Sequence, residues 1–286
     1  MDQDIATWTP QRVDDDAWLL VRPGARRRVR QLGPPEVEAS IVYQPRSART
    51  RQGRFERAVA DFLGREHSAW LLRAVGANVV LDVGGNKGQY AKSLRRNGYT
   101  GRIVSFEPVA HLVERLRELS ADDPDWRIVD CALGDEDGTA EINMTPGPLS
   151  SLLPASEFGR DWAENLSRTT VEEIRIRRLA DLWDDVMAGL DDPRPFLKMD
   201  TQGYDLETFR GAGDKVQQLL GLQSEVAMVP IYDGMPRLAE MLDIYEAAGF
   251  QTTGMFPVNR DRTTLRAIEF DLMMVGPAYE PEVDPS

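Results

Sequence analysis

The sequence predicts an α/β protein built on a doubly wound, Rossmann-like sheet of seven strands. Three observations predict this fold class. From about residue 77 onward, apolar runs alternate with amphipathic helical stretches, as in parallel sheets with helices on both faces. A glycine-rich turn joins the first of these strands to the next helix. The last two apolar runs have no helix between them, so they can pair as an antiparallel terminal hairpin.

An N-terminal segment precedes this pattern. Residues up to about Arg51 are rich in Pro, Arg and Asp and show no sustained periodicity, so we expect an irregular extension that packs on the main domain or caps it. Residues 53–76 carry apolar side chains at helical spacing, which predicts two amphipathic helices that end at Gly76. We therefore expect an N-terminal extension with helices over residues 1–76 and one main domain over residues 77–286.

The elements of the main domain follow from its periodicity. Helices are predicted at Tyr90–Arg96 and Ala110–Leu119, and in "DLETFRGAGDKVQQL" and "PRLAEMLDIYEAAG". The segment "VEEIRIRRLADLWDDV" opens as an alternating strand and becomes helical. The other strands are predicted in "NVVLDVG", "GRIVSFEP", "DWRIVDCALG", "GTAEINM", "RPFLKMD", "LLGLQSEVAMV", "FQTTGMF" and "AIEFDLMMVG".

Composition excludes several classes of function. The formal net charge of −13 argues against binding to nucleic acid, which requires a basic surface. No apolar run is long enough to span a bilayer, and the acidic N-terminus lacks the order of a secretion signal, so we expect a cytoplasmic protein. The one cysteine, Cys131, leaves no internal disulfide and no multi-cysteine zinc site.

The turn in "LDVGGNKGQY" indicates the ligand. Gly84, Gly85 and Gly88 do not have the spacing of the dinucleotide fingerprint, and no Walker-type Gly-Lys-Ser/Thr follows. Asn86 can replace a glycine because asparagine tolerates left-handed backbone. The remaining interpretation is an S-adenosylmethionine loop, in which Asp82 accepts from the ligand's ammonium group, directly or through water, and the N–H groups of the turn meet its methionine part.

Two later strand ends complete the predicted cofactor site. Glu107, followed by Pro108, ends the second strand, and a carboxylate there can accept from both ribose hydroxyls. In "DCALGDEDG", Cys131 and Ala132 are small enough for the backbone to reach an adenine ring, and Asp130 is the polar candidate for its exocyclic amine. The alternative for Cys131 is a small buried apolar residue.

The acceptor side is predicted at the ends of the fourth and fifth parallel strands. Lys198 and Asp200 lie two apart on one strand and share a face, and Glu225 ends the next. We expect Asp200 to be the base or the group that orients the acceptor, with Glu225 facing it. Lys198 can keep Asp200 ionised or act as a base itself. A Mg²⁺ ion on the two carboxylates and a purely structural Lys198–Asp200 ion pair are alternatives.

Other candidates are weaker. His67 precedes the sheet and His111 follows Glu107 in a helix, and a surface position without catalytic function is the alternative for both. The remaining candidates, for contact with the substrate or a lid, are Ser150, Ser151, Tyr232 and Asp233.

These motifs, in this order, resemble the FkbM family of S-adenosylmethionine-dependent O-methyltransferases. The motifs that carry the resemblance are "VLDVGGNKGQY", "SFEP", "CALGDEDG", Ser150–Leu152, "LKMDTQGYDLETFRGA" and "SEVAMVPIYDG". The resemblance implies a class I methyltransferase sheet over about Val79–Gly276, and Asn86 matches the family's usual loop. Gly85 stands where alanine is usual, and Gln202 stands where the family often has an acid, which puts a catalytic role of position 202 in doubt.

The resemblance implies methyl transfer to a hydroxyl of a small-molecule acceptor, such as a sugar or a polyketide or other secondary metabolite. Methylation of a nitrogen or a carboxylate on the same fold is one alternative, and a non-catalytic cofactor-binding protein is another. The trio Lys198, Asp200 and Glu225 argues against the latter, because a pure binder does not need it. A homo-oligomer is also compatible with the sequence.

Overall fold

The computed structural model describes residues 9–13, 17–21, 27–33, 39–44, 52–261 and 263–281. The chain divides into two compact units, Met1–Val59 and Ala60–Ser286. The sequence-based division after residue 76 stays a prediction.

The first unit contains two short antiparallel hairpins. Strand β1 (Thr9–Arg12) pairs with β2 (Trp18–Val21), and β3 (Arg28–Leu32) pairs with β4 (Ala39–Tyr43). The prediction of irregular structure is therefore wrong for these residues. Strands of four or five residues lie at the short end of the span over which alternation can be recognised in a sequence.

One helix, α1 (Gln52–Ala74), replaces the two helices predicted in this region. Gly64 lies inside this helix and does not interrupt it. A side chain at Gly64 would meet the Phe256 ring at 3.4 Å, so the glycine gives close packing between the helix and the sheet. A glycine within a helical pattern is thus not by itself the end of a helix.

The second unit is built on the predicted seven-stranded sheet, whose strand order is β13-β14-β12-β11-β5-β6-β7. Strands β5, β6, β7, β11 and β12 are parallel, and β14 runs antiparallel between β12 and β13, which confirms the terminal hairpin. The strands are β5 (Val79–Val83), β6 (Arg102–Phe106), β7 (Trp126–Val129), β11 (Pro195–Met199), β12 (Gly221–Ala227), β13 (Gln251–Arg260) and β14 (Ala267–Val275).

Helices cover both faces of this sheet, which confirms the doubly wound α/β class. On one face, Leu72 of α1 and Leu94 pack against Phe196 of β11, and on the other Trp183 and Tyr245 pack against Leu197. The helices that follow α1 are α2 (Gln89–Arg96), α3 (Ala110–Ser120), α4 (Glu157–Trp162), α5 (Leu179–Met187), α6 (Asp205–Gly211) and α7 (Leu238–Ala247).

The helix predicted in "DLETFRGAGDKVQQL" is shorter than expected. Helix α6 ends at Gly211, and a 3₁₀ helix follows at Gly213–Gln218. Gly213 has φ +55°, a left-handed conformation that interrupts the α-helical hydrogen bonding between the two segments.

A smaller sheet stands beside the main one. It has the order β8-β10-β9, formed by β8 (Ala132–Leu133), β9 (Gly138–Met144) and β10 (Thr170–Arg177). Residues 145–169, which join β9 to β10 and include α4, are called the cap below. None of the helices in the described part of the chain is both long and apolar enough to cross a bilayer.

Candidate active site

The glycine turn after β5 is folded onto its own sheet. Asn86 has φ +47°, as its replacement of a glycine predicts, and Gly84 and Gly88 are also left-handed. The N–H groups of Gly84 and Gly85 both donate to the Phe106 carbonyl at 3.0 Å. The Asn86 N–H donates to Glu107 Oε2 at 2.7 Å. The turn therefore binds the end of β6 and fixes the position of Glu107.

The remaining two N–H groups of the turn are also engaged. Lys87 donates to Gln89 Oε1 at 2.9 Å, and Gly88 donates to the Gly85 carbonyl at 2.8 Å. In this arrangement no N–H group of Gly84–Gly88 is left to meet the methionine part of a ligand, contrary to the sequence-based expectation. The turn would contribute its shape and its carbonyl groups instead.

Protein atoms surround the glycines of the turn. A Cβ at Gly84 would overlap the carbonyl oxygen of Asp200, and one at Gly85 would lie 3.1 Å from Ser105 and Leu116. The space that these glycines leave is thus filled by the protein itself. This explains why Gly85, and not alanine, stands at its position.

Asp82 is wholly buried beneath the turn. Its Oδ1 lies 3.0 Å from Lys198 Nζ, and its Oδ2 accepts from the Ser105 hydroxyl at 2.9 Å. Ser105 accepts in turn from the Trp126 indole N–H at 3.0 Å. The predicted direct contact between Asp82 and a ligand ammonium group does not fit this burial, because the carboxylate is neutralised inside the protein.

Lys198 forms a buried ion pair beneath the turn. Its ammonium group donates to the carbonyls of Val83 at 3.2 Å and Gly84 at 3.3 Å, in addition to the Asp82 ion pair. Burial by itself lowers the Lys198 pKa, but the Asp82 and Asp200 carboxylates outweigh it, and the net shift is upward. These contacts favour a structural cation, and the role of Lys198 as a base stays a prediction.

Glu107 stands at the end of β6 with both carboxylate oxygens in use. Oε2 accepts from Asn86 N–H and Oε1 accepts from Val109 N–H at 3.0 Å, and the side chain is 4% exposed. Burial raises the Glu107 pKa, and the two backbone hydrogen bonds oppose that shift. Each oxygen keeps a further lone pair, and Pro108 beside it is half-buried.

The predicted adenine contacts differ in character. Asp130 is about half exposed and pairs with Arg175 at 3.0 Å and Arg117 at 3.3 Å. Cys131 is buried, and burial raises the pKa of its thiol to about 11, so it behaves as a small apolar residue. Ala132 begins β8 and is partly exposed.

Gln202 joins the two carboxylates of the acceptor side. Its Nε2 donates to Glu225 Oε2 at 2.8 Å and to Asp200 Oδ1 at 3.1 Å. The Asp200 side chain is 45% exposed, whereas the Glu225 residue is 7% exposed. Lys198 Nζ lies 3.9 Å from Asp200 Oδ2. The predicted pair is thus brought together, and the residue that links its members was noted in the sequence only as a departure from the family pattern.

Strand β14 adds two acids that the sequence analysis did not single out. Asp271 lies opposite Glu225 in the register of β12 and β14, and Glu269 lies two residues away on the same strand. Burial first, and then the neighbouring carboxylate of Glu269, raise the Glu225 pKa well above its ordinary value. Burial and Asp200 raise the Asp271 pKa to about 7. The period-two alternation of "IEFDL" could have indicated that these acids share a face.

Asp205, also missed in the sequence, fixes the turn that carries Gln202. Its Oδ1 accepts from the N–H and hydroxyl groups of Thr201, and its Oδ2 accepts from the Ser224 hydroxyl and the Glu225 N–H. The residue is buried at the start of α6. Gln202 itself has φ +56°, a conformation that this turn imposes.

The cap lies over this side of the sheet. The Ser151 hydroxyl donates to the Gln202 carbonyl at 2.6 Å, and the Tyr232 hydroxyl lies 3.1 Å from Gln202 Oε1 and 3.0 Å from the Leu149 carbonyl. Ala155 forms a β-bridge with Tyr232. Ser151 and Tyr232, predicted as lid or substrate contacts, therefore hold the cap to Gln202.

The profile of the FkbM methyltransferase domain matches residues 82–252, more than half of the chain. The chain belongs to the FkbM methyltransferase family. Its mostly parallel sheet with an antiparallel strand near one edge is the class I methyltransferase architecture that the resemblance implied.

No curated protein matches the sequence. Solved structures similar to the chain include precorrin-6y C5,15-methyltransferase from Geobacter metallireducens GS-15, at 11% identity over 74% of this chain and 87% of that one, with a TM-score of 0.40. Another is an rRNA methylase from Streptococcus thermophilus, at 9% identity over 73% and 94%, with a TM-score of 0.36. A third is M. capricolum TrmK with S-adenosylhomocysteine, at 6% identity over 75% and 71%, with a TM-score of 0.39.

The two histidines of this FkbM methyltransferase are not part of the group formed by Asp200, Gln202 and Glu225. His67 Nε2 lies 3.0 Å from the Thr253 hydroxyl, and its ring packs between those of Trp70 and Phe256. Burial lowers the His67 pKa. His111 is exposed in the first turn of α3.

Metal ligands are not grouped in the part of the FkbM chain that the structure describes: no three His, Cys, Asp or Glu side chains there could hold one ion. Between Asp200 and Glu225 stands the Gln202 amide nitrogen, which donates to both. An amide NH₂ group is a hydrogen-bond donor and not a ligand for a hard cation. As arranged, these residues do not fit a Mg²⁺ ion between the two carboxylates.

Proposed function

We propose that this methyltransferase uses S-adenosylmethionine to methylate a hydroxyl group of a small acceptor, such as a sugar or a polyketide or other secondary metabolite. One observation carries the proposal. A half-exposed carboxylate, that of Asp200, stands at the carboxyl end of the parallel sheet, and the backbone carbonyl of the same residue lies against Gly84 of the glycine turn. Ligands of doubly wound sheets bind at that end.

The cofactor is assigned to the β5–β6 side. Glu107 has a carboxylate whose two oxygens each keep an acceptor position after binding Asn86 and Val109, which suits a ribose diol. The residues that would hold the cofactor are therefore the Gly84–Gly88 turn, Glu107 with Pro108, and the Asp130–Ala132 segment. The bound cofactor would supply a methyl group on a positively charged sulfur.

The chain's own contribution is alignment and removal of a proton. Asp200 can accept the proton of an acceptor hydroxyl, because its carboxylate reaches solvent and lies 3.9 Å from the protonated Lys198. Burial and the neighbouring acids raise the Glu225 pKa, and this buried position suits a group that shapes the site. The cap would exclude water and orient the acceptor.

The alternatives lead to different observations. A nitrogen or carboxylate acceptor would use the same cofactor side without need for Asp200 as a base. A non-catalytic cofactor-binding protein would bind the cofactor and transfer nothing. Asp200→Asn separates these cases from hydroxyl methylation, because it removes the base and keeps the hydrogen bond that Gln202 donates.

The first experiment is calorimetric titration of the purified chain with S-adenosylmethionine, S-adenosylhomocysteine and NAD. We expect binding of the first two and not of NAD. Glu107→Ala should weaken binding about 10–100-fold, since it removes hydrogen bonds to a charged group. Asp185→Ala is the control at an exposed acid that pairs with Arg127 and is not among the residues that would hold the cofactor, and it should change the affinity less than about threefold.

A wild-type chain that binds neither S-adenosylmethionine nor S-adenosylhomocysteine would exclude the proposal. If it binds, a screen of hydroxyl, amine and carboxylate acceptors follows, each with and without EDTA. Formation of S-adenosylhomocysteine that depends on a hydroxyl compound and is lost in Asp200→Asn supports hydroxyl methylation. Turnover with amines alone would favour the first alternative.

A further inference from the structure

We propose that Gln202 is the positioning residue of the acceptor side, and that its amide holds the Asp200 and Glu225 carboxylates in place by donating one hydrogen bond to each. The inference rests on the proposed function, since it gives Asp200 the contact with the acceptor. Gln202 is a neutral side chain, and in this proposal it holds two acids together, whereas many sites use a cation for that purpose.

The hydrogen-bond geometry uses the amide completely. A primary amide nitrogen carries two hydrogens, and Gln202 Nε2 lies 2.8 Å from Glu225 Oε2 and 3.1 Å from Asp200 Oδ1. The residue is 8% exposed, so water does not compete for these donors. Each carboxylate therefore receives one N–H, and the separation between the two acids is set by one rigid group.

The opposite end of the amide fixes its orientation. Oε1 faces the Tyr232 hydroxyl at 3.1 Å, which shares its one hydrogen between Oε1 and the Leu149 carbonyl. The main-chain carbonyl of Gln202 accepts from Ser151. The Asp205 carboxylate holds the turn through the backbone of Thr201. If the amide were reversed, its oxygen would face the two carboxyl oxygens, and its nitrogen would lose both of them as acceptors. The cap and the turn thus hold the NH₂ group toward the acids.

An acid at position 202 would face mostly negative groups. Besides Asp200 and Glu225 it would be near Tyr232, which is held neutral because burial raises its pKa. Glu269 and Asp271 of β14 act on the same carboxylates, as do Asp205 of α6 and the cation Lys198 of β11. The protonation of Gln202→Glu would therefore report whether position 202 lies between the two acids.

The test compares Gln202→Glu with Gln217→Glu by denaturant unfolding from pH 5 to pH 8. Gln217 is exposed and donates to the Ala248 carbonyl, so the same chemical change is made away from the acids. The new carboxyl at position 202 should have a higher pKa folded than unfolded, so its folded form is favoured at low pH and loses stability as the pH rises. Relative to wild type, the folding equilibrium constant should fall by up to about tenfold per pH unit.

For the control Gln217→Glu, the folding equilibrium constant relative to that of wild type should change less than about twofold between pH 5 and pH 8. The proposal would be overturned if the folding equilibrium constants of Gln202→Glu and Gln217→Glu, each relative to wild type, were equal and did not change with pH. Burial alone would also raise the pKa of a new carboxyl at position 202, so the double variant Gln202→Glu with Glu225→Gln separates a bridging role from a purely structural one.

A second variant keeps the test decisive if Gln202→Glu does not fold. The exchange Gln202→Glu with Glu225→Gln restores one amide and two carboxyl groups to the cluster, with the donor moved to position 225. We expect this double variant to fold and to recover the pH dependence of wild type. If it is as unstable and as pH-sensitive as Gln202→Glu alone, the amide does not bridge the acids.

Binding of S-adenosylhomocysteine, measured on the same samples, separates the two proposals. Gln202→Glu should bind it within about threefold of wild type if it folds, because Glu107 and the turn are unchanged. Failure of the wild type to bind would reject the proposed function, while the unfolding data would still decide whether Gln202 joins the two acids.

Discussion

The two sides of the candidate site are built in different ways. On the cofactor side, the Gly84–Gly88 turn and Glu107 are held by backbone N–H groups and carbonyls. On the acceptor side, Asp200, Gln202 and Glu225 are held by side chains that bind one another. The backbone-held side can be recognised from a local run of glycines, whereas the side-chain-held side depends on residues that are far apart in the sequence.

The two sides meet at Gly84 and Lys198. The Gly84 backbone lies against the Asp200 carbonyl, and the Lys198 ammonium group binds Asp82, the carbonyl of Gly84 and, at 3.9 Å, Asp200. Substitutions at Gly84 or Lys198 should therefore impair both sides of the site, and substitutions within one side should leave the other side intact.

The largest effect is expected at Lys198. Lys198→Met removes a buried cation and leaves the Asp82 carboxylate unpaired, which should lower the free energy of unfolding by about 3–5 kcal/mol. The double variant Lys198→Met with Asp82→Leu should recover most of that loss, because no buried charge is left alone. Denaturant unfolding measures both. A loss below about 1 kcal/mol in the single variant would mean that the pair is solvated.

The next effect is expected at Gly84. Gly84→Ala combines left-handed backbone with overlap of the Asp200 carbonyl, and should cost about 3 kcal/mol and abolish binding of S-adenosylhomocysteine. Gly98 is the control, since its φ is +82° but no atom lies within 4 Å of an added Cβ. Gly98→Ala should cost roughly 1–2 kcal/mol and leave binding unchanged. Equal losses in the two variants would show that backbone strain alone is responsible.

The smallest expected effect is a gradual change of the free energy of unfolding with pH. Glu225 and Asp271 have raised pKa values when folded, so the folded chain binds more protons than the unfolded one. Their stabilisation is complete below the unfolded pKa of about 4 and is lost as the pH rises through about 7 for Asp271. The free energy of unfolding should therefore fall between pH 5 and pH 8.

Glu225→Gln should make this slope less steep, by up to about 1.4 kcal/mol per pH unit for one proton. The variant can still accept the hydrogen bond from Gln202. Asp233→Asn, an exposed acid nearby, should leave the slope as in wild type. If Glu225→Gln and Asp233→Asn give the same slope, Glu225 is not the group that titrates.

The same contrast explains what the sequence could predict. The mostly parallel sheet, the terminal hairpin and the left-handed Asn86 follow from periodicity and from residues with special backbone requirements. The bridging role of Gln202 depends on φ +56° and on partners in the cap and in β12, and no local pattern contains that information. The burial of Lys198 against Asp82 likewise depends on the pairing of two strands distant in sequence.

The internal position of β14 affects the order in which parts of the protein can fold during synthesis. Strand β14 is the last described strand in the chain, yet it lies between β12 and β13 and carries the acids that face Glu225. A ribosome completes β5, β6 and Glu107 long before Glu269 and Asp271 emerge. During synthesis the cofactor side can therefore fold early. Glu225 lies on an unpaired edge of the sheet until β14 has been made.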